Sequence, residues 1–378
     1  MSAVRYLYVH LPFCAHRCGY CDFVTVVGRH SQHRAYVDAL LAELALEGEV
    51  LADRLDTVFL GGGTPTFTQP DELARLLAAL PAAEELSVEA NPETVTPELA
   101  RLLRAGRVSR VSLGAQSFQP HLLEVLERKA QPDDVRRAVY LLRDAGFDNI
   151  SLDLLYGIPG QSAADLESDL ADALALEPEH LSCYELEAKP RTRFTHTHGD
   201  ELERQGEAME GYFETVVDTL TGAGYRWYET ANFCLDPERV GGRDLRARHN
   251  LAYWRGSDYL GVGIGAVSTV AGVRSRNLPG LGAYVSALAA GERPRREAEM
   301  LDEQTRACER LMLGLRLDVP LPLADVQAGL EPGALERLAS KGLVELAANG
   351  AGDELRLTRR GRFLGGAVTA ELVALASA

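Results

Sequence analysis

The chain has 378 residues, of which 46% are hydrophobic and 25% charged, with 39 Lys and Arg against 55 Asp and Glu. At about 150 residues per domain this length predicts two or three domains with a large core, and the composition excludes disordered, collagen-like and coiled-coil classes. A formal net charge of −16 repels phosphate backbones, which argues against non-specific nucleic-acid binding and against a polybasic membrane anchor.

The first residues, Met1 to Phe13, lack a long apolar stretch followed by a small-residue cleavage site. No run reaches the roughly 20 apolar residues of a membrane span, so no integral membrane segment and a cytoplasmic protein are expected. Short runs rich in Val, Ile, Leu, Phe and Tyr predict strands at Tyr6–His10, Thr57–Leu60, Leu86–Glu89, Arg110–Leu113, Ile150–Leu154 and His180–Tyr184. Amphipathic segments between them predict helices at His33–Leu51, Pro70–Leu80, Pro97–Arg104, Pro132–Asp144 and Ala163–Leu176. Pro70, Pro97 and Pro132 stand where first-turn prolines belong, and Gly146 follows a helix as a stop. Strands that alternate with helices predict parallel βα units. The loops after the strands hold nearly all the unusual residues, the pattern of a (β/α) barrel with its chemistry at the carboxyl ends of the strands. Six units rather than eight predict an incomplete (β/α)6 barrel over residues 1–224, open on one side.

Residues 225–299 are less regular, and Gly241-Gly242, Gly261–Gly265 and Gly280–Gly282 read as loop punctuation. A smaller unit is expected over 300–378. It has helices at Glu303–Leu315, Leu323–Ala328 and Gly333–Lys341, then strands Leu343–Leu346 and Glu354–Leu357 around Asn349-Gly350, a helical, winged-helix-like arrangement. A DNA-binding reading of this unit would rest on Arg356, Arg359, Arg360 and Arg362. Acids in the same unit and the acidity of the chain speak against it, and no nucleic-acid partner is expected.

Six cysteines in so long a chain do not make a disulfide framework. Cys183, Cys234 and Cys308 sit among apolar neighbours and read as small buried hydrophobes. Cys14, Cys18 and Cys21 differ: they fall within eight residues as C-x3-C-x2-C, in CAHRCGYC. Thiolates this close repel one another unless protonated, oxidised or metal-bound. Structural zinc takes four protein ligands, with His10 or His16 available as the fourth. An iron–sulfur cube held by three thiolates instead leaves one iron open to an exogenous ligand. These residues by themselves leave both metals open.

C-x3-C-x2-C after a first strand resembles the signature of radical S-adenosylmethionine (SAM) proteins. Further motifs follow in order: YVHLPFC (Tyr8–Cys14), GGGTPT (Gly61–Thr66), EANP (Glu89–Pro92), GAQSF (Gly114–Phe118) and DLLYGIPGQ (Asp153–Gln161). Together they resemble the HemN/HemW family of coproporphyrinogen dehydrogenases and their haem-chaperone relatives, over nearly the whole chain. The resemblance implies that Cys14, Cys18 and Cys21 hold a [4Fe–4S] cluster whose fourth iron is chelated by SAM. It places Tyr8 beside that SAM and Gly62 in contact with it. It assigns Gly63, Thr64, Gln116 and Arg128 to a region for a second SAM.

The same residues have physical readings of their own. Glycines in GGGTPT remove Cβ atoms and let backbone approach a ligand, and no GK[ST] follows to make a Walker loop. Glu89 and Asp153 close strands expected to be buried, and a buried carboxylate needs a partner. For Glu89 a sulfonium cation with ribose hydroxyls would serve, or an arginine; Asp153 can accept bonds from ribose hydroxyls in the second-SAM region. Arg128 taken alone reads as a solvated helix charge. Phe13 and Tyr20 are expected to pack around the cluster.

Two departures separate the branches of this family. The dehydrogenases carry a further cysteine two residues after the last cluster ligand, where this chain has Phe23, and a long amino-terminal extension, where only thirteen residues precede Cys14. In addition, HNLAYW (His249–Trp254) resembles the HNxxYW motif of the HemW branch. His249 is then the expected axial ligand of haem iron, with Tyr253 and Trp254 as flat aromatic walls. The competing reading is that His249 and Asn250 cap a turn and the aromatics are core. The resemblance implies a haem chaperone that passes haem to an acceptor protein, with an electron donor as a further partner. The alternatives are an oxygen-independent coproporphyrinogen III dehydrogenase, which turns propionates into vinyls, and a zinc-stabilised barrel.

Overall fold

The computed structural model describes residues 3–187, 193–349 and 352–374. Its main sheet has nine strands: β1 (Tyr6–Leu11), β2 (Leu55–Gly62), β3 (Ala83–Ala90), β4 (Arg110–Gln116), β5 (Ile150–Tyr156), β6 (His180–Glu185), β7 (Tyr225–Glu229), β8 (Asn232–Leu235) and β9 (Leu260–Val262). They lie in the order β9-β1-β2-β3-β4-β5-β6-β8-β7. From β9 to β6 all neighbours are parallel; β8 then runs antiparallel to β6, and β7 antiparallel to β8. Among the described residues the two ends of the sheet, β9 and β7, do not pair, so the barrel stays incomplete.

Period-two alternation decides what each face of the sheet carries. Leu7, Val9, Val58, Leu60, Leu86, Val88, Val111, Leu113, Leu152, Leu154 and Leu181 are buried in one core with Leu73, Leu76, Leu99, Leu103, Val135 and Leu142 of the helices. The intervening positions are polar or aromatic: Tyr8, Thr57, Phe59, Glu85, Ser87, Glu89, Arg110, Ser112, Ser151, Asp153, His180 and Ser182. The lumen is therefore lined with hydrogen-bonding groups.

The helices His33–Glu47, Pro70–Ala79, Pro97–Ala105, Pro132–Asp144 and Ala163–Ala175 lie within a few residues of expectation. Three begin on proline, whose missing N–H costs nothing in a first turn. Thr96 and Ser162 cap two of them, accepting from the N–H groups of Leu99 and Asp165 at 3.2 Å each. The first helix stops at Glu47 and tightens into a 3-10 turn, Gly48–Val50, short of the predicted Leu51.

Two expectations need correction. The run Gly261–Gly265 is not only punctuation: it begins inside β9, a seventh parallel strand that covers the outer edge of β1. The predicted helix Leu323–Ala328 is two successive 3-10 turns, Leu323–Asp325 and Gln327–Gly329, closed by bonds from Val326 N to Leu323 O and from Leu330 N to Gln327 O.

The carboxyl-terminal residues form their own core around Leu311, Leu321, Leu338, Leu355 and Val368. The helices Glu303–Gly314 and Ala334–Ser340 pack with strands Val344–Asn349, Gly352–Leu357 and Leu321–Pro322, which make a three-stranded sheet. Gly350 of the predicted turn lies outside the described residues. Three of the four arginines on which DNA binding would have rested are engaged within the chain. Arg356 pairs with Glu345 and Arg359 with Asp218, while the Arg362 guanidinium lies 3.5 Å over the Trp227 ring. Among the described residues no helix is long and apolar enough to cross a membrane.

Candidate functional site

The carboxyl ends of the parallel strands open onto one cavity of about 490 Å³. Cys14, Cys18, Cys21, Gly62, Gly63, Thr64, Glu89, Gln116, Arg128 and Asp153 all line it; Tyr8 and His249 do not.

The cysteine loop forms one wall. Beyond β1 the chain pairs Phe13 and Cys14 with Val26 and Val27 in a short parallel ladder, which closes the loop on itself. The Cys14 thiol lies 3.5 Å from Thr64 Oγ1, and Cys18 Sγ lies 3.9 Å from Arg128 Nη1. All three are free thiols. Burial pushes the Cys14 thiol up to about 11, and the neighbouring Cys21 and Cys18 add to the shift. Three thiols held in this way favour a bound cation that would strip their protons. Among the described residues no three His, Cys, Asp or Glu side chains converge on the point that one ion would occupy. Three thiolates can take three corners of a four-iron cube, or three of the four positions of a structural zinc.

GGGTPT supplies the surface against which the loop rests. A Cβ on Gly63 would lie 2.5 Å from Pro12 O and 3.0 Å from Cys14 Sγ. Gly62 has φ 111°, and a Cβ there would meet the His10 ring at 2.5 Å. Only glycine lets the backbone pass this close. The freed Gly62 N–H donates to Glu89 Oε2 at 3.1 Å.

The second wall is acidic. Glu89 is pushed up to about 7, first by burial and then by the charge of Asp153. Burial raises Asp153 as well, while bonds from Ser182 and Ser112 and the charge of Arg110 hold it down. Ser112 Oγ lies 3.0 and 3.2 Å from the two carboxyl oxygens of Asp153. Arg110 is 2% exposed, and its Nε has no hydrogen-bond partner. Two acids face one arginine here, so the site is short of positive charge, and a cation bearing hydroxyls suits it.

The third wall holds Gln116 and Arg128. Gln116 has φ 68°, at the point where the register of β4 against β5 shifts. Arg128 is not a solvated helix charge. Its Nη2 donates to Gly114 O at 2.8 Å and to Asn91 Oδ1 at 3.0 Å, and its buried Nε is unpartnered. A guanidinium so held has a donor left for an anionic or carbonyl group of a ligand.

Tyr8 stands one layer back. Its hydroxyl bonds His10 Nδ1 at 3.0 Å, and it lines an adjoining cavity of about 240 Å³ that shares Asp22 and Phe23 with the larger one. His249 does not reach a macrocycle as an iron ligand in this arrangement. It is 1% exposed, with Nδ1 2.7 Å from Thr57 Oγ1 and Nε2 2.8 Å from the Tyr253 hydroxyl. Phe59 stacks on it at 5.1 Å, and burial pushes the imidazole down to about 3. The HNLAYW residues form a helix, Arg248–Trp254, rather than a capped turn. Phe13 is also displaced from expectation: it is fully buried on His33 and Tyr36, with ring centroids 4.0 and 5.4 Å away. Tyr20 does line the cavity. Cys183 and Cys234 are buried, whereas Cys308 is half-buried, its thiol toward Gly329 O and Ala374 O.

Residues given no binding role from the sequence also line the cavity, among them Asn91, Arg110, Ser112, Ser182 and Asn250. The alternation R-V-S-L-G over 110–114 was the available signal for Arg110 and Ser112, because it puts polar side chains on one face. Asn250 stands inside the HNLAYW motif, where the sequence reads it only as a turn cap.

Comparisons with known proteins agree with this architecture. The Radical SAM superfamily model matches residues 8–173, and the HemN C-terminal domain model matches residues 301–364. A protein named Heme chaperone HemW from Bacillus subtilis (strain 168) is 33% identical over 382 residues, covering 96% of this chain and 97% of its own length. One of the same name from Mycobacterium tuberculosis (strain CDC 1551 / Oshkosh) is 36% identical over 380 residues, covering 97% and 94%. The structure of coproporphyrinogen III oxidase (HemN) from Escherichia coli, described as a radical SAM enzyme, matches with a TM-score of 0.80 at 22% identity. That match covers 98% of this chain and 90% of that one, and it is a likeness of fold.

Proposed function

Because this chain belongs to the HemW family of radical SAM proteins, we propose that it is a haem chaperone, which binds haem and hands it to an acceptor protein. The observation that carries this reading is end-to-end relatedness to proteins named heme chaperones. Its radical-SAM scaffold brings three thiols and the acids Glu89 and Asp153 into one cavity.

In this reading Cys14, Cys18 and Cys21 hold the [4Fe–4S] cluster. Glu89 and the Gly62 backbone position one SAM, and Tyr8 supports that site through His10. Gly63, Thr64, Gln116, Arg128 and Asp153 shape a region that accepts a second. When bound, a reduced cluster would supply an electron able to cleave the sulfonium. The chain's own part is to position and to exclude. Gly63 brings backbone against the cysteine loop, Arg128 fixes Asn91 and the Gly114 carbonyl, and Glu89 gives up its proton when a cation arrives. An electron donor and a haem-accepting protein are the partners, in the cytoplasm.

The fold likeness to HemN keeps the coproporphyrinogen III dehydrogenase as the competing reading. Phe23, at the place of that branch's further cysteine, favours the chaperone. The test is a haem titration of anaerobically reconstituted protein, followed by mixing with an apo respiratory haemoprotein. Haem uptake and transfer are expected. Failure to bind haem, or conversion of coproporphyrinogen III to protoporphyrinogen IX in the presence of SAM and reductant, would overturn the reading.

A further inference from the structure

A second cavity, about 1010 Å³ and so roughly twice the size of the first, lies outside the barrel. It is framed by the end of the HNLAYW helix, by the hairpin Val267–Val270 and Val273–Asn277, and by the carboxyl-terminal helix Glu303–Gly314. Tyr253 and Tyr259, packed edge to face at 4.5 Å, make an aromatic wall, opposed by the aliphatic Leu301, Ala307 and Leu313. Arg255, Arg306 and Arg310 also line it. Arg310 donates to Trp254 O at 3.2 Å. Arg255 and Arg306 are exposed, and their guanidiniums have no hydrogen bond or ion pair among the described residues. Of the four carboxylates in the lining, Glu309 is paired with Arg274 at 2.6 Å, and Asp258 accepts from Ala271 N at 2.8 Å; Asp258, Glu303 and Asp325 stand against the three remaining guanidiniums, and Arg255 and Arg306 have none of them within ion-pair distance.

An aromatic and aliphatic slot rimmed by guanidiniums has the chemistry to take a flat apolar ring bearing two carboxylates. The barrel cavity has aromatic walls too, among them Tyr20, Phe59 and Tyr184, but only about half the volume, ≈490 Å³, and its thiols, acids and strand-end hydroxyls suit the cluster and SAM. His249, the residue that would have drawn haem inward, has both ring nitrogens engaged. We propose that haem seats in this outer cavity, with its macrocycle against Tyr253 and Tyr259 and its propionates on Arg255, Arg306 and Arg310. The assignment rests on the haem-binding part of the proposed function. It gives the carboxyl-terminal unit a task, since Arg306 and Arg310 both stand on its first helix. It also sets haem beside the cluster without sharing its site: Tyr253 and Tyr259 line the ≈240 Å³ cavity whose Asp22 and Phe23 belong to the cluster cavity.

The test uses the full-length, cluster-reconstituted protein and two probes, ferric haem and its dimethyl ester, which keeps the macrocycle and removes both charges. In the double variant Arg255→Glu, Arg306→Glu the haem Kd should rise about tenfold or more, the range of a lost charge-assisted contact. The Kd of the ester and of SAM should stay at wild-type values, and saturating SAM should not displace haem. The assignment is overturned if the variant binds haem as wild type does, if haem and ester weaken together, or if SAM competes with haem. A wild-type protein that takes up no haem at all would overturn the chaperone reading, and the site with it.

Discussion

The two cavities are made of different material. In the barrel, the side chains that meet the space sit mostly at strand ends and in the loops that follow them, where neighbouring strands and close glycines fix them. Asp153 is held by Ser112, Arg128 by Asn91 and Gly114, and Glu89 by Gly62. In the outer cavity, Arg255 and Arg306 stand on the rim with little to hold them, while Arg274 and Arg310 are tied to Glu309 and Trp254 O. A group that must stay in place is met by pre-set donors, and a cargo that must leave is met by adaptable ones. Tyr253 belongs to the outer cavity and Asn250, one turn earlier on the same helix, to the inner one.

The strongest way to break this contrast is to remove the thiols. Replacing Cys14, Cys18 and Cys21 by Ala should abolish bound iron and sulfide altogether, and leave haem affinity within about twofold; iron, sulfide and haem titration on one preparation check both halves. A protein that loses haem together with the cluster would merge the two sites.

His249→Ala comes next. It empties a buried ring and strands the Thr57 and Tyr253 hydroxyls, so a loss of about 2–4 kcal/mol in denaturant unfolding is expected. The haem spectrum of the protein that remains folded should not change. An unaltered unfolding midpoint with a lost haem spectrum would return His249 to the role of iron ligand.

Gly63→Ala should cost about 1–3 kcal/mol, because the added methyl meets the Pro12 carbonyl and the Cys14 sulfur. Iron content per chain should fall with it. If both are unchanged, the close approach of GGGTPT to the cysteine loop is not what holds that wall.

The smallest effect concerns pH. Glu89, raised to about 7 in the free protein, is protonated below that pH and must ionise to meet a cation. SAM affinity should therefore fall by about one factor of ten per pH unit below 7, and level off above it. In Glu89→Gln the affinity should be weaker and flat across the same range. A wild-type affinity that is level from pH 5 to 8 would remove Glu89 from the site.

Much of the inner region was legible because its signals are local. Prolines mark the helix starts, glycines the close approaches, and the cysteine spacing the loop that walls the cavity. The outer region was not, since its walls join residues 253 to 328 through packing that no short motif records. His249 shows the limit of motif reading. Its sequence neighbours promise a ligand, but Thr57, 192 positions away, takes its free nitrogen. β9 was hidden for a similar reason. A three-residue strand that contains glycine has little propensity of its own, and it exists because β1 offers it an edge. Phe13 was misplaced because position along a strand does not tell which neighbour fills the space beside it; His33 and Tyr36 do so from the first helix.

That edge has a consequence for biosynthesis. Val9 of β1 finds its partner Val262 only after the whole stretch between them has been made. Until then one flank of the opening strand is bare, with unpaired amides and carbonyls ready to join any extended segment nearby. Nascent chains that stall before β9, or truncations that end there, should aggregate rather than wait as soluble part-barrels.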